Sequence, residues 1–357
     1  MTDVRPLVIV SDETLLDEIL RLAAAVGCEF ERALDLRSAG RAWARAPLVL
    51  IDEKVIEGEV ELPRRRDVLL LTKGSPPPST WERAFAAGVQ QVLSLPDAES
   101  AIVGALADVA EGPIVPGGCV IGVLGGRGGA GASMFAAALG LAAGDGALLV
   151  DCDPLGGGLD LLLGAESVEG ARWPSLGLDG GRISMEALRG ALPQYAHRHG
   201  RLPFLSCDRD GAGPSADALA SVVDAGRRAG KVVICDLPRH LNSGIWPVVD
   251  RADLLVLVVP AEVRACVSAR RVVDGLGDRA DKVKLVVRGP APGGLAPQDA
   301  AESVRVPLLT SMAPERNLDR CVENGEFAPR ARGALVTAAR MVLAELRGTV
   351  GSVEVAA

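Results

Sequence analysis

The stretch CVIGVLGGRGGAGASMFAAALGLAA, Cys119 to Ala143, constrains this chain more than any other. An apolar run leads straight into a cluster of glycines, and an alanine- and leucine-rich segment of helical composition follows. A strand that is apolar at every position is buried on both faces, which a parallel sheet covered by helices provides. The glycines let backbone N–H groups curl toward an anion, and the helix start adds partial positive charge at the same place. Five more runs of this kind follow: ALLVDC, LPFLSC, KVVICD, DLLVLVV and VKLVV. Helical segments at Ser133–Ala143, Ala216–Ala229, Ala261–Gly275 and Arg332–Arg347 separate or close them. Residues 119–350 therefore read as an α/β unit with a mostly parallel sheet, and residues 351–357 as a tail.

The first 111 residues repeat the rhythm on a smaller scale. Strands are expected at Leu7–Val10, Leu48–Ile51, Val68–Leu71 and Gln91–Leu93, and helices at Thr14–Ala25, Ala33–Ala44, Ser79–Gly88 and Ala98–Val109. Residues 112–118, within EGPIVPGG, read as a linker. A chain of 357 residues, 48% of them hydrophobic, can bury a core in each unit. The net charge of −8 argues against nucleic acid as a bulk partner. Arg264, Arg270, Arg271 and Arg279 are the candidate basic surface on that acidic chain. The seven cysteines form no C-x-x-C pair and read as reduced thiols. MTDVRPLVIVSDE lacks the pattern of a signal peptide, and no apolar stretch reaches the roughly 18 residues of a membrane span. The expectation is a cytoplasmic protein whose membrane contact is peripheral and made through partners. His197 and His199, in YAHRHGRLP, read as a loop before a strand rather than a metal site.

Set against the phosphate-loop pattern G-x-x-x-x-G-K-[ST], the glycine cluster matches at Gly126, Gly131 and Ser133, but Ala132 stands where the lysine belongs. The candidate nucleotide-binding residues are Gly126, Arg127, Gly128, Gly129, Ala130, Gly131, Ala132 and Ser133. ALLVDCDP places Asp151 and Asp153 at a strand end, KVVICDLPR ends its apolar run on Asp236, and NLDRCVENGEF comes late.

In this order the motifs resemble the deviant Walker A family of ParA and MinD ATPases, over residues 119 to about 347. The resemblance implies a role for each matching residue. Arg127 takes the place of the signature lysine that reaches across a dimer to the partner's nucleotide, although arginine and lysine are not interchangeable. Ser133 supplies the hydroxyl for Mg²⁺, Asp153 is the switch aspartate that positions the attacking water, and Asp236 is the Walker B aspartate on the metal. Two departures stand out. Ala132 removes the lysine that bridges the β and γ phosphates, and LVVRGP replaces the asparagine that reads adenine. Phosphoryl transfer rests on positioning and charge stabilisation. The expectation is therefore a homodimer that binds ATP and Mg²⁺ and hydrolyses ATP weakly or not at all.

The first unit resembles a response-regulator receiver, a flavodoxin-like fold. PLVIVSDET opens it with Ser11 and Asp12 where two acids are usual, LVLIDE puts Asp52 at the phosphoacceptor position, and LLLTKG offers Thr72 as the switch hydroxyl. In GVQQVLSLP, Leu95 stands at the lysine. Asp12, Asp52 and Thr72 thus form the receiver-like pocket of a pseudo-receiver used for docking. A receiver-like unit followed by a ParA/MinD unit is the arrangement of the CpaE and TadZ pilus-localisation proteins and of the actinobacterial septum-site-determining branch (Ssd). That likeness implies a spatial regulator of septum-site selection or Tad/Flp-type pilus assembly. Its partners would be the envelope or division machinery or a pilus-secretion ATPase, at the pole, septum or inner membrane. The rival readings are an active ATPase switch and a ParA-like DNA-binding partitioning protein.

Overall fold

The computed structural model describes residues 5–57, 63, 65, 67–111, 115, 117–176, 183–198, 200–209 and 213–354. The chain divides into two compact units, Met1–Ile114 and Val115–Ala357. Residues 112–114 and 116 of the expected linker, His199, and residues 355–357 of the expected tail lie outside the described residues.

The first unit is built from β1 (Leu7–Ile9), α1 (Glu13–Ala25), β2 (Glu31–Arg32), α2 (Leu36–Arg45), β3 (Val49–Asp52), β4 (Val68–Lys73), α3 (Pro78–Ala86), β5 (Gln91–Leu95) and α4 (Glu99–Glu111). Its five strands are all parallel, in the order β2-β1-β3-β4-β5. The alternation of the strands sends Val8, Leu50 and Leu71 to one face, with Leu15, Ile19 and Leu106 of α1 and α4. Leu7, Ile9 and Ile51 go to the other face, with Trp43 of α2 and Ala84 of α3. One sequence expectation is corrected. Residues 31 and 32 pair with β1, and the second helix starts at Leu36, not Ala33. Asp35 stops it from starting sooner: its carboxylate accepts from Ser38 N at 2.7 Å while Ser38 Oγ accepts from Asp35 N at 3.1 Å, a closed capping box.

The second unit begins with β6 (Cys119–Gly125), α5 (Ala132–Ala143), β7 (Ala147–Asp151), α6 (Leu159–Leu163), α7 (Met185–Ala191), β8 (Gln194–His197), β9 (Gly200–Leu205) and α8 (Ala216–Arg228). It continues with β10 (Val232–Asp236), α9 (Trp246–Arg251), β11 (Leu254–Pro260), α10 (Val263–Leu276), β12 (Val283–Arg288), α11 (Pro297–Val304), β13 (Leu308–Met312), α12 (Leu318–Glu323) and α13 (Ala334–Glu354). The eight strands run β13-β12-β11-β6-β10-β7-β9-β8, and every pair but β8–β9 is parallel. All residues of β6, β7 and β11 are buried. Helices α8 to α11 cover one face of this sheet, and α5 with α13 the other, where Phe135 and Leu139 meet Ala339 and Val342.

YAHRHGRLP is not a simple loop. Its first part is β8, which folds back antiparallel on β9, and Tyr195 Oη donates to Phe327 O at 2.8 Å. Strand β13 escaped the sequence reading because LLTSM mixes exposed and buried positions at the sheet edge, without the continuous apolar signature of the central strands. All seven cysteines are free, and six are buried. Among the described residues, no helix is long and apolar enough to cross a membrane.

Candidate functional site

The glycine loop sits at the carboxyl end of β6, in the middle of the larger sheet, where doubly wound folds open their crevice. Gly126 N donates to Val258 O of β11 at 2.9 Å. A Cβ on Gly126 would stand 2.7 Å from Val259 Cγ2 and 2.9 Å from Ala269 Cβ, so only glycine lets the loop lie this close to β11 and α10. Gly129 (φ 70°) and Gly131 (φ 95°) hold left-handed backbone that side chains resist. Gly131 is the N-cap residue of α5 and brings no side chain to cap it, and among the described residues no other side chain bonds the amides of the first turn. Those uncapped N–H groups, at the positive end of the helix, form an anion seat. Ala132 opens the helix half-buried against the α5–α13 core, a methyl group where the pattern asks for an ammonium. Ser133 follows, exposed.

Three aspartates from two strand ends face the loop. Asp236 closes β10, is 5% exposed, and receives the hydroxyl of Ser133. Burial, reinforced by the charges of Asp151 and Asp153, pushes its carboxyl up to about 8 despite that hydrogen bond. Asp151 closes β7 and works as an anchor. Its Oδ1 accepts from Asp153 N at 3.1 Å, and its Oδ2 from Cys207 N at 3.1 Å and Leu159 N at 3.2 Å. Burial raises its pKa against the pull of those backbone bonds. Asp153, half-buried, accepts from Leu155 N at 3.1 Å. Ser133, Asp153, Asp236, Gly157, Glu166 and Asn324 line a cavity of about 630 Å³, within the usual range for small-molecule sites. Asn324 belongs to the late NGEF segment, which the fold brings back to the loop.

Supporting groups missed in the sequence surround this set. Trp173 Nε1 donates to Asp151 O at 2.7 Å, which clamps the strand end. Asp160, 2% exposed, gathers Leu161 N at 2.8 Å, Ser206 Oγ at 3.3 Å and Arg172 Nε at 3.4 Å. Neither residue belongs to a local motif, so only their contacts identify them.

The donor set suits a magnesium nucleotide. Among the described residues no group of three or more His, Cys, Asp or Glu could hold a metal alone. Ser133 and Asp236 would give Mg²⁺ two oxygens, and Mg²⁺ commonly takes its remaining ligands from water and substrate phosphates. Arg127 lies apart from the cavity. Its Nη2 pairs with Glu262 at 3.0 Å and its Nη1 donates to Gly128 O at 3.2 Å.

In the first unit, Asp12, Asp52 and Thr72 come together at the carboxyl ends of β1, β3 and β4. Asp52, 3% exposed, accepts at Oδ2 from Ser11 N at 2.6 Å and Asp12 N at 3.2 Å, while its buried Oδ1 has no hydrogen-bond partner among the described residues. Thr72 Oγ1 meets Ser94 Oγ at 3.0 Å. Leu95, on β5, is buried. A lysine reaches the pocket nonetheless, from a neighbouring position: Lys73 Nζ pairs with Asp12 Oδ1 at 2.6 Å. With the Leu15 N–H and Thr14 hydroxyl bonds, it holds the Asp12 carboxyl well below the usual range.

Known proteins resemble the two units separately and the chain as a whole. A family model described as "Rv3660c-like, CheY-like N-terminal domain" matches residues 9–116. Protein Rv3660c of Mycobacterium tuberculosis H37Rv is 43% identical over 341 residues, 94% of this chain and 96% of its own length. Protein MT3760 of M. tuberculosis CDC 1551 matches to the same extent. Among solved structures, the ParA family ATPase of Chlorobium tepidum TLS superposes with a TM-score of 0.55 at 14% identity, covering 62% of this chain and 97% of its own. The cell division ATPase MinD of Pyrococcus furiosus gives 0.53 at 20%, covering 64% and 99%. The MinC:MinD cell division complex of Aquifex aeolicus gives 0.52 at 23%, covering 63% and 96%. The first unit is thus CheY-like, and the second has the ParA/MinD P-loop fold.

Two outcomes follow from these geometries. Unfolded Asp236 ionises near 3.8 and folded Asp236 near 8. Between those values the folded state keeps a proton that the unfolded state has lost, so this residue costs stability as pH rises through the window. Asp236→Asn should raise the melting temperature at pH 8 by more than at pH 5. Scanning fluorimetry at both pH values checks this, and an equal gain at the two would contradict the cause. Separately, acetyl phosphate with Mg²⁺ should leave Asp52 unmodified, because Ser11 replaces an acid, Leu95 replaces the lysine, and Lys73 already neutralises Asp12. Stoichiometric addition by intact mass, absent in Asp52→Ala, would overturn the pseudo-receiver reading.

Proposed function

We propose that this chain, which belongs to the Rv3660c-like family, is a nucleotide-binding spatial regulator that acts through protein contacts and hydrolyses ATP weakly or not at all. The observation that carries the reading is the join between an intact anion seat and a missing ammonium. The uncapped first turn of α5, the Ser133–Asp236 pair and the adjoining cavity are suited to phosphates and Mg²⁺. Ala132 offers only a methyl group to the γ-phosphate. Bound ATP and Mg²⁺ would be held by the loop amides, Ser133 and Asp236, with Asp153 placed for an attacking water. The dication would offset the crowding of three carboxylates.

The setting of that function is the selection or marking of a cell-envelope site, for septation or for Tad/Flp-type pilus assembly. Its support is the pairing of a CheY-like unit, whose pocket carries its own cation, with a fold shared by proteins named for cell division and partition. The first unit would then serve as a docking module, with the division machinery or a pilus-secretion ATPase as partner. A DNA-binding role is less well supported. Of the four candidate arginines, Arg270 pairs with Asp274 at 3.0 Å, and Arg279 pairs with Asp250 and lies over Trp246 at 4.8 Å. An active ATPase switch keeps one specific support, the retention of both Asp153 and Asp236.

Self-association is part of the proposal. Arg127 keeps a positive charge at the position from which the family's lysine reaches a second copy, but here Glu262 of the same chain holds it. The residue must exchange Glu262 for the partner's nucleotide. With ATP·Mg²⁺ present, Arg127→Ala should shift light scattering toward monomer and Glu262→Gln toward dimer. Identical masses for both variants over a concentration series would remove the dimer contact.

Removing one preorganised charge-stabilising donor typically costs about 100- to 1,000-fold in rate. Ala132→Lys should therefore raise phosphate release by a factor of that order and tighten ATP binding, measured by titration calorimetry and phosphate release. Wild-type turnover at the level of the variant's, abolished by Asp153→Ala, would overturn the weak-hydrolysis reading.

A further inference from the structure

We infer that Arg288 supplies to a bound nucleotide's phosphates the positive charge that Ala132 lacks, an inference that rests on the nucleotide-binding reading above. The site has a charge problem. Asp151, Asp153, Asp236 and Glu166 line its cavity, and a di- or triphosphate would add further negative charge. Mg²⁺ answers part of this. The loop's own cation, Arg127, is committed to Glu262.

Arg288 is the last residue of β12, which lies beside β11, the strand that flanks β6. Its backbone is fixed on both sides: Ala261 N donates to Arg288 O at 2.9 Å, and Gly289 N donates to Met312 O at 2.9 Å. From there the side chain crosses to the glycine loop. Its Nη1 lies 3.2 Å, and its Cδ 3.9 Å, from the point where Gly131 would carry a Cβ. Gly131 directly precedes Ala132, and consecutive Cα atoms stand about 3.8 Å apart. The guanidinium is therefore delivered to the start of α5, beside the residue that precedes Ala132, from another strand.

Two further observations point the same way. Among the described residues the Arg288 guanidinium has no hydrogen-bond or ion-pair partner, whereas Arg127 of the glycine loop is held by Glu262 at 3.0 Å. Glu315, which lines the small pocket around Arg288 and Gly131, is engaged elsewhere, accepting from Arg330 N at 3.2 Å and Leu335 N at 3.3 Å. Gly131 also leaves the room Arg288 uses, since a Cβ there would press on the guanidinium at 3.2 Å. An unpaired guanidinium beside a phosphate-type loop offers a planar set of donors matched to phosphate oxygens.

The test uses the full chain and measures binding of ATP, ADP and adenosine, each with Mg²⁺, by titration calorimetry at low salt. Arg288→Gln and Arg288→Met should each weaken ATP and ADP at least tenfold and leave adenosine unchanged. Adding Ala132→Lys to Arg288→Gln should restore ATP affinity, because the returned ammonium replaces charge but not the packing on Gly131. Melting curves establish which variants are folded, and a folded one of the pair suffices. ATP affinity unchanged in a folded Arg288 variant would overturn the inference and leave the nucleotide reading standing. Equal losses for ATP, ADP and adenosine, or no recovery with Ala132→Lys, would assign Arg288 to packing and overturn it too. If neither the wild type nor Ala132→Lys binds ATP or ADP, the nucleotide reading itself falls, and this inference falls with it.

Discussion

Burial of β6 between β10 and β11 determines where every group of the larger site stands. A strand with no solvent-facing residue must be covered by helices above and below, and its end can open only at the sheet's edge of strand termini. The glycine loop leaves from that end, tied to β11 through Gly126 and seated on α10 by the absence of a Cβ. In the same register Asp236 leaves β10 beside it, and Asp151 leaves β7 one strand further on. The anion seat and the carboxylates converge because neighbouring parallel strands end together.

That convergence concentrates carboxylates at buried strand ends. Asp236 keeps its proton well into the neutral range, and Asp151 is held by three backbone N–H groups in place of a cation. Such a site favours whatever brings positive charge: a dication, or an arginine delivered by another strand. The replacement of one lysine by alanine thus changes the balance of the whole pocket. Both nearby guanidiniums, Arg127 and Arg288, come from residues whose positions the loop pattern alone would not weigh in this way.

The CheY-like unit shows a related economy. Its pocket keeps the buried Asp52 and the hydroxyl of Thr72, and Lys73 of the same chain already pairs with Asp12.

The sequence by itself determined the strand–helix alternation, the two α/β units, the glycine loop, the alanine at its lysine position, and the aspartates at strand ends. Each of these is written in local periodicity or in neighbouring residues, so a linear reading reaches it. It misplaced the start of α2, where a capping box competes with helical periodicity, and it missed β8 and β13, whose edge positions leave their polar residues exposed. Only the tertiary structure decided that Arg127 pairs with Glu262, 135 residues away, that Lys73 reaches Asp12, that Trp173 clamps Asp151, and that Arg288 comes to rest on Gly131. Those are contacts between residues that no spacing rule connects. They exist because β12, β11 and β6 lie side by side in the larger sheet, and because β4 brings Lys73 to the strand end where Asp12 caps α1.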